Sequence, residues 1–293
     1  MRVHLCGVRG STPAPGRDFL RYGGHTSCVA VCHDDGPPRL ILDAGTGLRP
    51  ASALLRSEAF SGTILLTHLH WDHVHGLPFF AAGDRPDARV RVLLPEQDGS
   101  GQHGTGQDGT GQHGTGSAEA VRARGMSPPH FPITPGELRG DWSFGFSAPG
   151  EAKAEGFTVE AAEIPHKGGR TFGYRISDGH SVLAYLPDHC PTELGPGPEG
   201  WGEYHPAALA LAAGADALIH DAFLLAPEVA AQARLGHAAA DYAVGLGRRA
   251  GASRVVLAHH KPDRTDRDLD LLAARFAADP RVMVAAEGTV IDL

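Results

Sequence analysis

The stretch TILLTHLHWDHVHG, residues 63–76, decides which fold is expected for this chain. It opens with an apolar run, ending at Leu66, whose length and composition are typical of a buried β-strand. Imidazole and carboxylate side chains, which are ligands for zinc, iron and manganese, follow directly: His68, His70, Asp72, His73 and His75. The stretch therefore predicts a metal site at the end of a strand.

The spacing within this stretch predicts ligands for two neighbouring metals. His68 and His70 are two positions apart, so their side chains project to the same side of an extended segment. Asp72 and His73 follow where the chain is expected to turn, aided by Gly76, and can face a second metal. A solvated polar turn is the alternative interpretation, which the structural context of the motif must decide.

A metal pair needs more ligands than one segment supplies, and the rest of the chain offers them at the ends of apolar runs. His166 ends FTVEAAEIPH, Asp188 ends SVLAYLPD and His259 ends RVVLAH. An α/β scaffold presents its site residues at strand ends, so these three positions fit a shared site. Each one alone is equally compatible with an ordinary surface residue, but together with residues 68–73 they predict a binuclear centre.

Composition and charge exclude several classes of function. With 293 residues, 42% of them hydrophobic, the chain can bury a sizeable core. A formal net charge of −8 disfavours binding to long nucleic acids, which rests on many Lys and Arg contacts to phosphate. No apolar run reaches the roughly 20 residues of a membrane span. The N-terminal residues lack the pattern of a secretory signal, so we expect a cytoplasmic protein.

The order of predicted elements indicates an α/β fold. Strand-like runs follow one another in the first half of the chain, whereas helical patterns separate them in the second half. One predicted helix begins at His237, and another has Thr265 and Asp266 as N-cap candidates and Pro280 beyond its end. This order favours a layered sandwich in which two sheets carry helices on their outer faces.

Residues 98–117 repeat a Q-[HD]-G-T-G unit that contains nothing able to form a core. We expect a low-complexity, flexible loop there. His103 and His113 lie in it, and a solvated insert is favoured over a metal site. Because the strand pattern and the remaining candidate ligands continue beyond the repeat, residues 1–293 are expected to form a single domain.

Several motifs taken together resemble one family. They are RGSTPAPG and RYGGHTSC within residues 9–28, ILDAGTG (41–47), THLHWDHVHG (67–76), PHKGGRTFGYRI (165–176), YLPDH (185–189), IHDAF (219–223), GHAAADYA (236–243) and LAHHKPDRTD (257–266). In this order, along nearly the whole chain, they resemble the metallo-β-lactamase-fold hydrolases, in the branch of ribonuclease Z and the phosphoribosyl cyclic phosphodiesterases. The resemblance implies a four-layer αββα sandwich.

Carried over residue by residue, the resemblance implies two divalent metal ions per chain, expected to be Zn²⁺ with Mn²⁺ as the alternative. It implies that one metal is held by His68, His70 and His166. The other would be held by Asp72, His73 and His259, and Asp188 would bridge both together with a water or hydroxide. Such a hydroxide forms near neutral pH because adjacent cations lower the pKa of the bound water.

The same resemblance implies catalytic roles for Asp72, His237 and Asp221. In the ribonuclease Z branch, a histidine at the start of a helix assists the leaving group and is oriented by an acidic residue. His237 and Asp221 match those two positions, although Asp221 replaces the glutamate of the family pattern with a side chain one methylene shorter. Asp43 is expected to support the metal-binding loop through a hydrogen bond, a common role beside metal-bound histidine.

Three further histidines depart from this scheme or are additional to it. His75 and His260 neighbour the expected ligands, and we expect them to lie beside the site without binding metal. His25 stands where the relatives often show asparagine. The sequence supplies no physical reason for this change.

Binuclear centres of this fold attack either carbonyl or phosphoryl groups. Asp188, the GYRI segment after His166, and the HDA and GHAAAD motifs favour the phosphodiesterase branch. The acidic charge argues against a transfer RNA, so we predict a small phosphodiester, such as a cyclic nucleotide or a cyclic ribose phosphate. The alternatives are a carbonyl-ester, thioester or lactone hydrolase, and a metal-binding scaffold or sensor without catalysis. A homodimer is compatible with the resemblance.

Overall fold

Two seven-stranded sheets make up the centre of the computed structural model, which describes residues 1–96 and 117–293. The strands of the first sheet are β1 (Arg2–Gly7), β2 (Cys28–Cys32), β3 (Leu40–Leu42), β4 (Ser61–Leu65), β5 (Arg89–Pro95), β6 (Asp141–Ser147) and β14 (Val290–Asp292). Those of the second are β7 (Gly150–Ala154), β8 (Phe157–Glu163), β9 (Phe172–Ser177), β10 (Val182–Leu186), β11 (Ala217–Asp221), β12 (Val255–Ala258) and β13 (Val282–Val284).

Each sheet combines an antiparallel part with a parallel part. The first sheet has the order β14-β1-β2-β3-β4-β5-β6, antiparallel from β14 to β3 and parallel from β3 to β6. The second has the order β13-β12-β11-β10-β9-β8-β7, parallel from β13 to β10 and antiparallel from β10 to β7. Because parallel neighbours end at the same edge of a sheet, the residues after β10, β11 and β12 are brought together.

Helices cover the outer face of each sheet. In the described part of the chain they are α1 (Leu48–Ala51), α2 (Trp71–Val74), α3 (Ala118–Ala123), α4 (Pro206–Ala212), α5 (Val229–Gln232), α6 (Ala240–Ala250) and α7 (Asp266–Phe276). Apolar side chains of α1, α2 and α3 pack on the first sheet, and those of α4 to α7 pack on the second.

Alternation of side chains along the strands produces the layers. In β3, Leu40 faces the core between the two sheets, whereas Ile41 faces the helices outside the first sheet. In β10, Leu183 faces the core between the sheets, whereas Ala184 faces the helices outside the second sheet. Successive residues of a strand point to opposite faces, so each strand joins two cores. The result is the four-layer αββα sandwich expected from the sequence.

The structure corrects one predicted helix boundary. Helix α6 begins at Ala240 and not at His237, because Ala238 and Ala240 first form backbone hydrogen bonds with Leu224. His237 therefore lies in the loop before the helix, whose N-cap is Ala239. The N-cap of α7 is Thr265, one of the two predicted candidates.

Strands β6, β7 and β14 have no counterpart in the sequence-based prediction, since they are partly exposed and lack a continuous apolar run. The predicted loop at 98–117, with His103 and His113, lies outside the described residues apart from Ser117, the N-cap of α3. None of the described helices is both long and apolar enough to cross a membrane.

Candidate metal centre

The predicted ligands lie in segments that follow the strands at one end of the sandwich. His68 and His70 come after β4, and the short helix α2 carries Asp72 and His73. The remaining three come from the segments after β8, β10 and β12, namely His166, Asp188 and His259. The tertiary structure brings the ligand atoms of all seven residues together in two groups.

The first group contains three histidines and one carboxylate, namely His68, His70, His166 and Asp188, whose ligand atoms lie within 4.8 Å of one another. Oδ2 of Asp188 is 3.3 Å from Nε2 of His166 and 3.6 Å from Nε2 of His68. Nδ1 of His70 is 3.2 Å from Nε2 of His166. Three imidazoles and a carboxylate at this spacing suit a four-coordinate divalent ion.

The second group contains Asp72, His73, Asp188 and His259, again within 4.8 Å of one another. Nε2 of His73 is 3.1 Å from Oδ1 of Asp188 and 3.3 Å from Oδ2 of Asp72. His259 places Nδ1 at 2.9 Å from Oδ1 of Asp188 and Nε2 at 3.0 Å from Oδ2 of Asp72. Asp188 therefore belongs to both groups, with Oδ2 toward the first and Oδ1 toward the second.

Hydrogen bonds behind three imidazoles turn the Nε2 atom of each ring toward the cluster. Nδ1 of His73 donates to Oδ2 of Asp43 at 2.8 Å, and Nδ1 of His166 donates to a backbone carbonyl oxygen at 2.8 Å. Nδ1 of His68 lies 3.0 Å from the hydroxyl oxygen of Thr67. These contacts place the proton of each ring on Nδ1, so each Nε2 presents a lone pair to the cluster.

Some of the buried polar atoms that lack a hydrogen-bond partner belong to the same cluster. Within residues 1–96 and 117–293, four inward atoms of the cluster are buried and form no hydrogen bond: Nε2 of His68, Nε2 of His73, Nδ1 of His259 and Oδ1 of Asp188. Burial of unpaired polar atoms is unfavourable, whereas bound cations would satisfy all four. The donor set and its unpaired atoms fit divalent metal ions.

Charges within the cluster keep both of its carboxylates ionised. Burial raises the pKa of Asp188, but the surrounding imidazoles, led by His259 and His73, outweigh burial and hold this pKa well below its ordinary value. Burial also raises the pKa of Asp72, but the imidazoles of His73 and His259 outweigh burial and lower this pKa. Burial lowers the pKa values of His73 and His259, but the same carboxylates outweigh burial and raise both. Burial holds the pKa of His68 well below its ordinary value, which favours the neutral ring.

Asp43 accepts several hydrogen bonds behind the cluster. Its carboxylate accepts from Nδ1 of His73, from the backbone N–H and hydroxyl of Thr67, and from the hydroxyl of Tyr185. Its φ of 59° is left-handed, which is uncommon for residues other than glycine and recurs at functional sites. The sequence reasoning missed Thr67 and Tyr185. The position of Thr67 directly before His68 is the signal that could have identified it.

Replacing Asp43 with asparagine is expected to lower metal affinity about 10- to 100-fold, because the amide nitrogen cannot accept the hydrogen bonds that orient the loop. Asparagine tolerates a left-handed backbone, so the loop should keep its shape. Competition with a chromophoric zinc chelator measures the affinity. The matched control is Asp87→Asn, at a side chain 67% exposed. Equal affinity in the two variants would contradict the role assigned to Asp43.

Close backbone approaches surround the second group. The backbone N–H of Ser11 donates to Oδ2 of Asp72 at 2.7 Å. A Cβ atom on Gly10 would lie 2.5 Å from the ring of His259, and one on Gly45 would lie 2.1 Å from the carbonyl oxygen of Asp72. The glycines in RGS and DAGTG are therefore needed for the backbone to reach the cluster.

His237 and Asp221 form a pair that borders both groups. Nδ1 of His237 donates to Oδ2 of Asp221 at 3.0 Å and lies 3.9 Å from Oδ2 of Asp188. The ring of His237 stacks on Phe223, with centroids 4.3 Å apart. Both members of the pair are buried. The shorter aspartate reaches the histidine because the backbone beside His237 is bonded to Leu224, three residues after Asp221.

The additional histidines lie outside the two ligand groups. His75 is exposed and stacks on Trp71, with ring centroids 5.4 Å apart. His260 is buried and donates from Nε2 to a backbone carbonyl oxygen at 2.9 Å. Nδ1 of His25 lies 3.1 Å from the carboxylate of Glu287. Each of the three therefore has a partner away from the cluster.

The four layers and the histidine–aspartate cluster define a metallo-β-lactamase-fold protein with a candidate centre for divalent metals. A family model described as the β-lactamase superfamily domain matches residues 38–260. The chain belongs to this superfamily, whose members are mostly metal-dependent hydrolases. No curated protein matches the sequence.

Solved structures share the fold over almost the whole chain. The metallo-β-lactamase fold protein YhfI from Bacillus subtilis is 18% identical, with a TM-score of 0.69 over 99% of both chains. The short form of human tRNase Z is 19% identical, with a TM-score of 0.64 over 100% of this chain and 99% of its own. A diphosphatase of the PhnP family is 16% identical, with a TM-score of 0.67 over 100% of this chain and 97% of its own. At these identities the likeness shows the fold alone.

Proposed function

We propose that this protein is a binuclear metal-dependent hydrolase that cleaves a small phosphodiester. The observation that carries the proposal is Asp188 between two groups of ligands with the His237–Asp221 pair beside it. Structures that share the fold include a tRNase Z and a diphosphatase, whose names denote cleavage of RNA and of a diphosphate. These names support phosphoryl rather than carbonyl chemistry for this chain.

We assign one metal to His68, His70 and His166, the other to Asp72, His73 and His259, with Asp188 as a ligand of both. Zinc suits these imidazole and carboxylate donors, and manganese is the alternative. A pair of divalent ions bound by these residues would supply a water of lowered pKa as nucleophile and would neutralise charge on the phosphoryl group.

The protein's own residues orient the reacting groups. The backbone N–H of Ser11 donates to Oδ2 of Asp72 and holds this carboxylate beside His73 and His259. His237 is placed to give a proton from Nε2 to the departing oxygen, because Asp221 occupies Nδ1 and stabilises the cationic ring. The pair is buried, so its interaction is stronger than in water.

The charge of the chain supports a small substrate over a long nucleic acid. The net charge is −8, and residues 97–116 contain no Lys or Arg that could bind a polyanion. A single phosphodiester needs only the metal pair and a few local contacts. A cytoplasmic location and a homodimer stay predictions from the sequence.

Hydrolysis of bis(p-nitrophenyl) phosphate by the full chain, loaded with Zn²⁺ or Mn²⁺, tests the proposal. We expect turnover with at least one of the metals and two bound ions per chain by elemental analysis. Cleavage of a lactone or thioester, without turnover of the diester, would assign the protein to carbonyl chemistry. A chain that binds one ion or none and cleaves none of these compounds would be a non-catalytic scaffold.

Asp72→Ala is expected to lose the metal of the second group and to lower kcat/KM at least about 100-fold, since several kcal/mol of charge stabilisation are lost. The first group has no ligand from residue 72 and should keep its ion. Elemental analysis and diester hydrolysis measure the two effects. Asp263→Asn, at a side chain 74% exposed, is the control. Retention of both ions and full activity would refute the assignment.

A further inference from the structure

A cavity of about 720 Å³ lies beside the candidate metal centre, and the scheme above does not use it. Its wall includes Pro13, two residues after Ser11, and Gly76, three residues after His73. Ser11 itself contacts Asp72. Two or three residues of chain span at most roughly 7–11 Å, so the cavity adjoins the second ligand group.

Large apolar side chains are exposed around this cavity. Phe79 is 57% exposed and Leu20 is 76% exposed, and both line it. Phe19 forms another part of the wall, and the guanidinium of the buried Arg9 lies 5.2 Å from its ring centroid, which holds the ring in place. Exposed rings around a concave site are typical of pockets for small molecules. The cavity therefore suits a planar apolar group.

Arg49 adds a positive charge to the wall of the cavity. Among the described residues, its guanidinium has neither an ion pair nor a hydrogen bond. Glu287 also lines the cavity, but its carboxylate is occupied by the backbone N–H and Nδ1 of His25. An unpaired cation and aromatic rings in the wall of one cavity favour a ligand that carries both a ring and a negative charge.

The Gly23–Gly24 pair keeps the cavity open. Gly23 has a φ of 93°, and a Cβ atom there would lie 2.2 Å from the carboxyl carbon of Glu287. A Cβ atom on Gly24 would lie 2.3 Å from the carbonyl oxygen of Ala14. Side chains at these positions would displace Glu287 or residues 13–16, which line the cavity.

From these observations we propose that the cavity binds the base of a nucleotide, so that the substrate is a nucleoside phosphodiester. The base packs against Phe19 and Phe79, and Arg49 attracts the phosphate. A ribose phosphate without a base would leave the rings exposed and the cavity unfilled. The inference rests on the proposed phosphodiesterase function, because that function supplies the phosphodiester in the substrate. Binding of the base can be tested without measuring cleavage.

Isothermal titration calorimetry of the full, zinc-loaded chain with three probes separates the contributions of base and phosphate. The probes are adenosine 5′-monophosphate, ribose 5-phosphate, which lacks the base, and adenosine, which lacks the phosphate. We expect the nucleotide to bind at least about tenfold more tightly than ribose 5-phosphate, because stacking of one base on an aromatic ring strengthens binding by about this factor. Equal affinities for these two probes would overturn the inference.

Two variants assign the contacts to residues. Phe79→Ala is expected to weaken the affinity for adenosine 5′-monophosphate about fivefold to tenfold and to change the affinity for ribose 5-phosphate by less than about twofold.

Arg49→Ala is expected to weaken the affinity for both phosphate-containing probes about threefold to fivefold and to leave the affinity for adenosine unchanged. The matched control is Arg91→Ala, at an exposed arginine on β5 away from the cavity. Identical behaviour of the Arg49 and Arg91 variants would contradict the assignment.

These measurements separate the inference from the proposed function. If the nucleotide binds as expected but no diester is cleaved, the cavity is a nucleotide site and the proposed function fails. If the diester is cleaved but the nucleotide binds no better than ribose 5-phosphate, the proposed function stands and the inference fails.

Discussion

Replacing Asp188 with asparagine is expected to remove metal from both ligand groups and to lower kcat/KM about 1000-fold or more. The carboxylate of Asp188 is shared, with Oδ2 at 3.3 Å from Nε2 of His166 and Oδ1 at 2.9 Å from Nδ1 of His259. Asparagine keeps one oxygen and replaces the other by an amide nitrogen that does not bind the cation. The metal ions are expected to contribute several kcal/mol of charge stabilisation to the transition state. Each loss of 1.36 kcal/mol lowers the rate tenfold, so losing about 4 kcal/mol gives the 1000-fold decrease.

Elemental analysis and hydrolysis of bis(p-nitrophenyl) phosphate measure the two effects of Asp188→Asn. The comparison with Asp72→Ala is informative, because that variant is expected to lose one ion and the Asp188 variant both. Asp263→Asn again serves as the exposed control, and circular dichroism checks that each variant is folded. Two ions per chain in Asp188→Asn would show that Asp188 does not join the groups.

His237→Ala is expected to lower kcat about 100- to 10,000-fold on a nucleoside diester with a poor leaving group, the usual range for loss of a general acid. The loss should be about tenfold or less on bis(p-nitrophenyl) phosphate, since p-nitrophenolate departs without a proton. His237 forms a third possible ligand group with Asp221 and His259, but the two groups that share Asp188 keep all their ligands in this variant, so two ions per chain are still expected. This difference between leaving groups is the signature of proton donation.

Asp221→Asn tests the other half of the pair. Its Oδ2 accepts from Nδ1 of His237 and from the backbone N–H groups of His189 and Ala238. Asparagine cannot stabilise the cationic ring, so the loss of kcat should again be larger for the substrate with the poor leaving group.

Equal losses of kcat on both substrates in His237→Ala, or loss of metal from this variant, would assign His237 a different role.

Local spacing predicted part of the candidate site. The alternation of His68 and His70 along an extended segment indicated that both rings face the same side, and the rings do lie edge to face with centroids 4.4 Å apart. Asp72 and His73 lie on the short helix α2, where the sequence predicted a turn. These relations hold between near neighbours, so backbone geometry alone determines them.

Contacts between distant segments were not predictable in the same way. The distance between Asp221 and His237 depends on backbone hydrogen bonds between Leu224 and the segment before α6. The hydrogen bond from Tyr185 to Asp43 joins the second sheet to the first across the central core. No spacing along the chain encodes either contact, because each depends on how the layers pack.

The sequence by itself determined the fold class, the candidate metal-binding motif of THLHWDHVHG and the strand ends that carry the other candidate ligands. Only the tertiary structure decided that the two oxygens of Asp188 face different groups, that a shortened Asp221 still reaches His237, and that a cavity adjoins Asp72. The physical reason is that side-chain alternation acts within one segment. Ångström-scale distances between segments arise only when the two sheets and their loops pack together.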